Sequence, residues 1–128
     1  MTLVSTVCRY LLGLLFTVYG ANGFLHLIPI PPPATPSGMQ FHTATTDSHF
    51  MLLVFALELL AGISLLIGRF VLLALVVLAA ILANIVNYHI TMDPAGFIPG
   101  IVALVLWFGA AWNQRARFRL LFSDENAR

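Results

Sequence analysis

The chain has 128 residues, of which 60% are hydrophobic and only 9% are charged. Soluble domains carry about 25% charged residues, so this composition excludes a surface exposed to water all round and indicates one membrane domain over residues 1–128. The net charge is +1, and no basic patch with interleaved aromatic residues occurs outside the short C-terminal tail, so we expect no nucleic-acid partner.

Four apolar stretches predict membrane-spanning helices, because about 20 apolar residues are needed to cross the hydrocarbon core. They cover about residues 3–28, 49–67, 70–90 and 97–112. A proline-rich segment beginning at Pro29 ends the first helix and opens a loop over residues 29–48. Within this loop, residues 37–47 carry a weak signal for a short helix on the membrane surface.

The later connections are short. Gly68 and Arg69 form a tight turn, so the second and third helices are expected to be antiparallel neighbours. Residues 93–96 read Asp-Pro-Ala-Gly, which is turn chemistry, and Pro99 then falls in the first turn of the fourth helix. The sequence therefore predicts an all-α integral membrane protein, an antiparallel four-helix bundle.

The arginines predict the orientation of this bundle. Arg9, Arg69 and the basic tail 113–128 fall on one side of a four-span chain, and Asp47 and Asp93 fall on the other. Because positive residues favour the cytoplasm, both termini are predicted to be cytoplasmic and the loop after the first helix to be outside. The expected location is an inner membrane of bacterial type.

One alternative takes the first apolar stretch as a cleaved signal peptide that follows Arg9. The stretch is long for such a signal. It also carries Asn22 and His26, which a removed segment has no need of, so a retained helix is the preferred interpretation.

Two of the predicted helices have a polar face, with residues spaced i, i+3, i+4 and i+7. The faces consist of Tyr19, Asn22, Gly23 and His26 in the first helix and Asn84, Asn87, Tyr88 and Thr91 in the third. Lipid offers no hydrogen-bond partners, so both faces are expected to turn inward, in the outer half of the membrane.

Glu58 is the single acid of the second helix and lies roughly 16 Å below its outer end. An ionised carboxylate near the midplane costs about 2.5–3.5 kcal/mol on insertion scales. We therefore expect Glu58 to be protonated or hydrogen-bonded to Asn22 or Asn84, and to form the floor of an outward-facing pocket. The alternative is that these polar groups only join helices to one another.

The histidines extend the candidate site without forming a metal site. His26, His49 and His89 lie near the outer surface, but their helical phases disagree and no HxxxH or ExxH pair occurs. We expect contacts with headgroups or a ligand; a haem held by His26 and His89 is the alternative. The candidate ligand-binding residues are Asn22, His26, Glu58, Asn84, Asn87, Tyr88 and His89.

Three motifs in this order resemble the DoxX family of membrane proteins. They are Asn22-Gly-Phe-Leu-His26, Glu58-Leu-Leu-Ala-Gly62 and Asn84-Ile-Val-Asn-Tyr-His89, the last followed by Asp93-Pro-Ala-Gly96. The resemblance extends to about Trp112 and implies a four-helix membrane fold. It also implies a link to redox metabolism, since DoxX and DoxD relatives include subunits of a thiosulfate:quinone oxidoreductase, while others act in redox-stress complexes or as assembly chaperones.

The sequence is therefore compatible with three functions. The first is a quinone-linked redox or accessory subunit; because the single cysteine, Cys8, excludes a CxxC redox pair, electrons would come from a partner subunit or soluble donor. The second is a non-enzymatic scaffold or assembly chaperone. The third is a binder or carrier of lipid or hydrophobic metabolites, for which transport would need a homo-oligomer. The lipid bilayer is a partner in all three.

Overall fold

Residues 2–123 are described by a computed structural model, and this part of the chain is helical, with no β-strand. Its α-helices are α1 (Leu3–Leu25), α2 (Pro36–Asp47), α3 (Met51–Ile67), α4 (Val71–Thr91), α5 (Ile98–Trp112) and α6 (Arg115–Leu121), and a 3-10 turn covers Pro94–Gly96. The all-α prediction is confirmed. The helix that the sequence signalled weakly within the proline loop is present as α2.

Local chemistry explains where these helices begin and end. The hydroxyl of Thr2 accepts a hydrogen bond from Ser5 N at 3.1 Å and caps α1, and the hydroxyl of Thr35 caps α2 in the same way. Gly68 ends α3 in the left-handed conformation, with φ of 73°, where glycine carries no steric penalty. Three residues, 68–70, then connect α3 to α4.

Two helices are long and apolar enough to cross a membrane. α1 has 23 residues and α4 has 21, which correspond to about 34 and 32 Å of helix. A third crossing is available if α2 and α3, which meet at 85°, are taken as one bent span. α5 is a shorter apolar helix of 15 residues.

The outer surface of the helices is apolar, as a membrane location requires. Leu53, Leu60 and Val105 expose 69%, 63% and 64% of their surfaces, and many other large hydrophobic side chains are similarly open. Soluble monomers rarely expose contiguous apolar surface on this scale. Lipid is the environment in which such a surface is stable.

The helices pack with α1 against α3 and α5, and with α4 against the same two helices on the other side. The neighbours run antiparallel, because residues early in one helix meet residues late in the next, as Gly13 meets Gly62 and Trp107 meets Leu75. The core between them is leucine-rich, and its fully buried members are Leu12, Leu65, Leu75, Leu78 and Leu82.

The closest helix contact is between α1 and α3, and it depends on glycine. A Cβ atom on Gly62 would lie 2.6 Å from Thr17 N and 2.8 Å from Gly13 O. A Cβ on Gly20 would lie 2.6 Å from Leu59 N. Since backbone atoms cannot move aside as a flexible side chain does, these positions admit no side chain. Small residues at such contacts are typical of helix pairs in membranes.

The arginines of residues 2–123 collect at one end of the protein. Arg9 donates from Nη1 to Leu65 O at 2.6 Å, and Ser5 donates from Oγ to Gly109 O at 2.6 Å, so the start of α1 lies beside the ends of α3 and α5. The other arginines of the described chain follow the same helix ends; they are Arg69, Arg115, Arg117 and Arg119. We call this the arginine end.

Substituting Gly62 with valine is expected to destabilise the α1–α3 contact by about 1–3 kcal/mol, because the side chain meets backbone atoms of Thr17 and Gly13. The measurement is the midpoint of thermal unfolding in mild detergent, which should be lower for this variant than for the wild type. Ser64→Val, on the same helix, is the control, because the Ser64 hydroxyl bonds only to Leu60 O of its own helix. Equal midpoints for the two variants would contradict the close-contact interpretation.

Candidate functional site

The seven candidate residues do not converge on one pocket. Two are buried, Asn22 at 8% and Glu58 at 6% exposure, and they lie on different helices. Two on α4, Tyr88 and His89, are half-buried. The remaining three are exposed: His26, Asn84 and Asn87.

Asn22 holds the turn by which the chain leaves α1. Its Nδ2 donates to Ile28 O at 2.9 Å and its Oδ1 accepts from Ile28 N at 2.7 Å, so both ends of the carboxamide are engaged by one residue. His26 sits inside this turn in the left-handed conformation, with φ of 53°, and donates its backbone N–H to Asn22 O. The Asn22 side chain therefore serves the turn that follows α1 and hydrogen-bonds only to backbone groups of Ile28 within the described residues.

Glu58 is buried on the face of α3 that carries Ala61, Gly62 and Leu65. Within residues 2–123 its carboxyl group makes no hydrogen bond. Of the two partners considered from the sequence, Asn22 bonds to Ile28 through both ends of its carboxamide, and Asn84 is exposed on the outer side of α4, where one N–H donates to Ala80 O at 3.0 Å. The alternative in which Asn22 or Asn84 hydrogen-bonds to Glu58 is therefore absent from the described chain. Glu58 is therefore a largely buried acid, 6% exposed, without a hydrogen-bond partner among residues 2–123.

Asn84 and Asn87 lie on the face of α4 that points away from the other helices. The buried face of α4 is formed by Leu75, Leu78 and Leu82, and Asn84 and Asn87 are exposed on the opposite side. Asn84 and Asn87 share one face of the helix, as their spacing predicts. The expected inward direction of that face is wrong, because the leucine face occupies the interior.

A polar junction that the sequence did not signal as a site joins the start of α2 to the end of α4. Asp93 is buried, at 9% exposure, and its Oδ1 accepts from Ala34 N at 3.2 Å. The Thr35 hydroxyl donates to Met92 O. In the sequence, Asp93 is part of a turn and falls at the end opposite Arg9 and Arg69, as the proline loop does. That shared end is the signal that could have paired Asp93 with the segment before α2.

Tyr88 and His89 belong to this junction. His89 Nδ1 lies 2.9 Å from Asp93 O, and the Tyr88 ring packs against Phe41 of α2 with centroids 5.3 Å apart. These contacts fix α2 over the end of α4. In the part of the chain from Thr2 to Ser123, no three His, Cys, Asp or Glu side chains are grouped as metal ligands.

Two shallow depressions lie away from all seven candidate residues. One is at the arginine end and is lined by Phe108, Trp112, Arg115, Phe118, Arg119 and their neighbours. The guanidinium of Arg115 stacks on the Trp112 ring at 4.7 Å and donates to Trp112 O. The other depression is on the exposed side of α2, along Pro36, Met39 and Gln40.

Comparison with protein-family models, with curated protein sequences and with solved structures finds no match for this chain.

Replacing Asn22 with leucine is expected to destabilise the protein by about 1–3 kcal/mol, because both backbone groups of Ile28 lose their partner at similar side-chain volume. The measurement is the thermal midpoint in detergent. Gln40→Leu, which removes an exposed carboxamide from α2, is the control and should leave the midpoint unchanged. An Asn22→Leu protein as stable as the control would show that the turn does not depend on this side chain.

Proposed function

We propose that the chain is a DoxX-like inner-membrane protein in which α1, α3, α4 and α5 all cross the bilayer as an antiparallel four-helix bundle. The support is that these four helices coincide with the four apolar stretches of the sequence and contact one another in a closed order. α3 and α5 measure about 26 and 23 Å, shorter than an average hydrocarbon core. Local thinning of the bilayer accommodates such a difference at modest cost.

The proposed orientation has both termini in the cytoplasm. Its support is the arginine end, where the described arginines collect, and the opposite end, which holds Asp47 and Asp93. Positive residues next to spans are retained on the cytoplasmic side. In this orientation α2 lies on the outer surface of the membrane.

Cysteine labelling tests this orientation in a Cys8→Ala background. A membrane-impermeant maleimide added to intact cells is expected to label Thr43→Cys on α2 and to leave Ala116→Cys on α6 unlabelled, because both positions are exposed but on opposite ends. Disruption of the membrane should make both react. Labelling of Ala116→Cys in intact cells would overturn the orientation.

For the activity, we propose a quinone-linked redox or accessory subunit centred on Glu58. The observation that carries it is Glu58, an acidic residue only 6% exposed on the face of α3 that carries Ala61 and Gly62, whose carboxyl group makes no hydrogen bond inside the described chain. A charge in this position is costly, and acids kept at membrane depth typically mark ligand or proton pathways. A purely structural carboxyl group would be expected to have a partner.

A quinone, when bound, supplies two-electron chemistry that is coupled to protons. Glu58 fits the role of hydrogen-bond partner and proton carrier for such a headgroup, because its oxygens are not engaged by other described residues. Asn22 does not fit, because its carboxamide is used by Ile28. The described chain offers no electron donor of its own, so the proposal includes a partner subunit or soluble donor.

Binding of a short-chain ubiquinone analogue to the purified protein tests this proposal. Glu58→Leu removes the hydrogen-bonding group and is expected to weaken binding about fivefold to tenfold, as expected for loss of one hydrogen bond in a membrane. Asp47→Asn, an acid changed on exposed α2, is the matched control and should bind as the wild type does. Equal affinities for all three proteins would remove the site assignment.

A second candidate is a non-enzymatic membrane scaffold or assembly chaperone. It is favoured by Asn84 and Asn87, which turn polar groups outward toward neighbouring molecules in the bilayer. Affinity capture in mild detergent discriminates the two functions. A stoichiometric membrane partner, together with no quinone binding, favours the scaffold.

A further inference from the structure

The side of α4 that faces away from the other helices is a stripe of small and polar residues, which we call the outer stripe. It consists of Ala80, Ala83, Asn84, Asn87 and Thr91, and all five are exposed. α4 has 21 residues and is one of the two helices that are long and apolar enough to span a membrane. Asn84 lies seven residues, or about 10 Å, inside its end at Thr91. The outer stripe is therefore at membrane depth.

The hydrogen bonds within the outer stripe leave amide groups unused. Asn84 donates one N–H to Ala80 O at 3.0 Å, and its Oδ1 accepts nothing from residues 2–123. The Asn87 side chain likewise makes no hydrogen bond in this range. Thr91 is satisfied, since its hydroxyl donates to Asn87 O at 2.8 Å. Two carboxamides thus present free donors and acceptors to the hydrocarbon.

Lipid tails cannot satisfy these groups. An amide without a partner in an apolar medium costs several kcal/mol, and polar residues inside membranes normally face protein. The interior of this chain does not receive them, because the leucine face of α4 already fills it. A protein surface from outside the chain is the environment that this stripe requires.

We infer that the outer stripe is the interface between two copies of this chain, packed about a two-fold axis that is normal to the membrane. A carboxamide carries both donors and acceptors, so identical side chains can bond to one another without any charge difference. In a parallel pair of α4 helices, each asparagine meets its own copy at the same depth. An isologous interface of this kind is the commonest form of homodimer.

The residues next to the asparagines fit close helix contact. Ala80 and Ala83 lie one turn nearer the arginine end than Asn84 and Asn87. Their small side chains let two helix backbones approach closely. Farther along the same face, Val76 and Leu73 are 40% and 61% exposed and extend the contact as an apolar seam. The outer stripe therefore combines side chains that can hydrogen-bond between helices with small and apolar residues that can pack, as stable helix pairs in membranes do.

This inference goes beyond the proposed function, because it requires that α4 spans the bilayer and does not require a quinone. The two can fail separately. A monomeric protein that binds quinone would overturn only the interface, and a dimer without quinone binding would overturn only the activity.

The first experiment counts copies of the fluorescently labelled full chain by single-molecule photobleaching in phosphatidylcholine vesicles. The wild type is expected to bleach mainly in two steps and the Asn84→Leu/Asn87→Leu double variant in one, with self-affinity lowered at least about tenfold. Asn84→Gln/Asn87→Gln, which keeps both amides, should restore two-step bleaching. Tyr19→Phe, which removes an exposed hydroxyl from α1, is the control and should remain dimeric.

The second experiment places the contact on α4. In a Cys8→Ala background, Ala83→Cys lies on the outer stripe and is expected to form a disulfide between copies on mild oxidation, while Leu14→Cys, 54% exposed on α1, is not. A monomeric wild type, a dimeric double leucine variant, or equal cross-linking at both positions would overturn the inference. Capture of a different membrane protein by wild-type monomers would overturn it in favour of the scaffold function.

Discussion

The close contact between α1 and α3 is the constraint on which the rest of the structure depends. Gly13, Gly20 and Gly62 bring the two backbones together, and a side chain at Gly20 or Gly62 would meet backbone atoms of the other helix closer than 3.0 Å. Because α1 is held against α3, Arg9 reaches Leu65 O at one end. The same pairing encloses the face of α3 on which Glu58 lies, so the burial of the acid is a consequence of the glycines.

The polar side chains fall into two groups, those with hydrogen-bond partners inside the described chain and those with groups left unpaired there. Asn22 and Asp93 hydrogen-bond to backbone groups near the ends of α1 and α4, where the chain turns. Glu58 is largely buried without a hydrogen bond in the described chain, and Asn84 and Asn87 are exposed on α4 with amide groups that residues 2–123 leave unpaired. These last two cases are the basis of the two proposals, because a ligand at Glu58 or a second chain at Asn84 and Asn87 would supply a hydrogen-bond partner that lipid cannot.

The helices could be predicted from the sequence, because hydropathy and the helix-ending residues Pro29, Gly68 and Pro94 are local properties. The site could not be predicted to the same degree. Residue spacing establishes that Asn84 and Asn87 share a face, but which neighbour that face meets depends on how α4 is rotated against α3 and α5. That rotation is decided by the leucines of the opposite face, which pack better in the interior than any amide.

The pairing of Ser5 with Gly109 sets the order in which this protein can be completed. These two residues are 104 positions apart, and the contact between α1 and α5 forms only after α5 has been made. At about 5–20 residues per second, α1 waits on the order of 5–20 s with that face uncovered. During this interval the hydroxyl of Ser5 has no acceptor on α5, so the contact between the first and last long helices is among the latest that the growing chain can form.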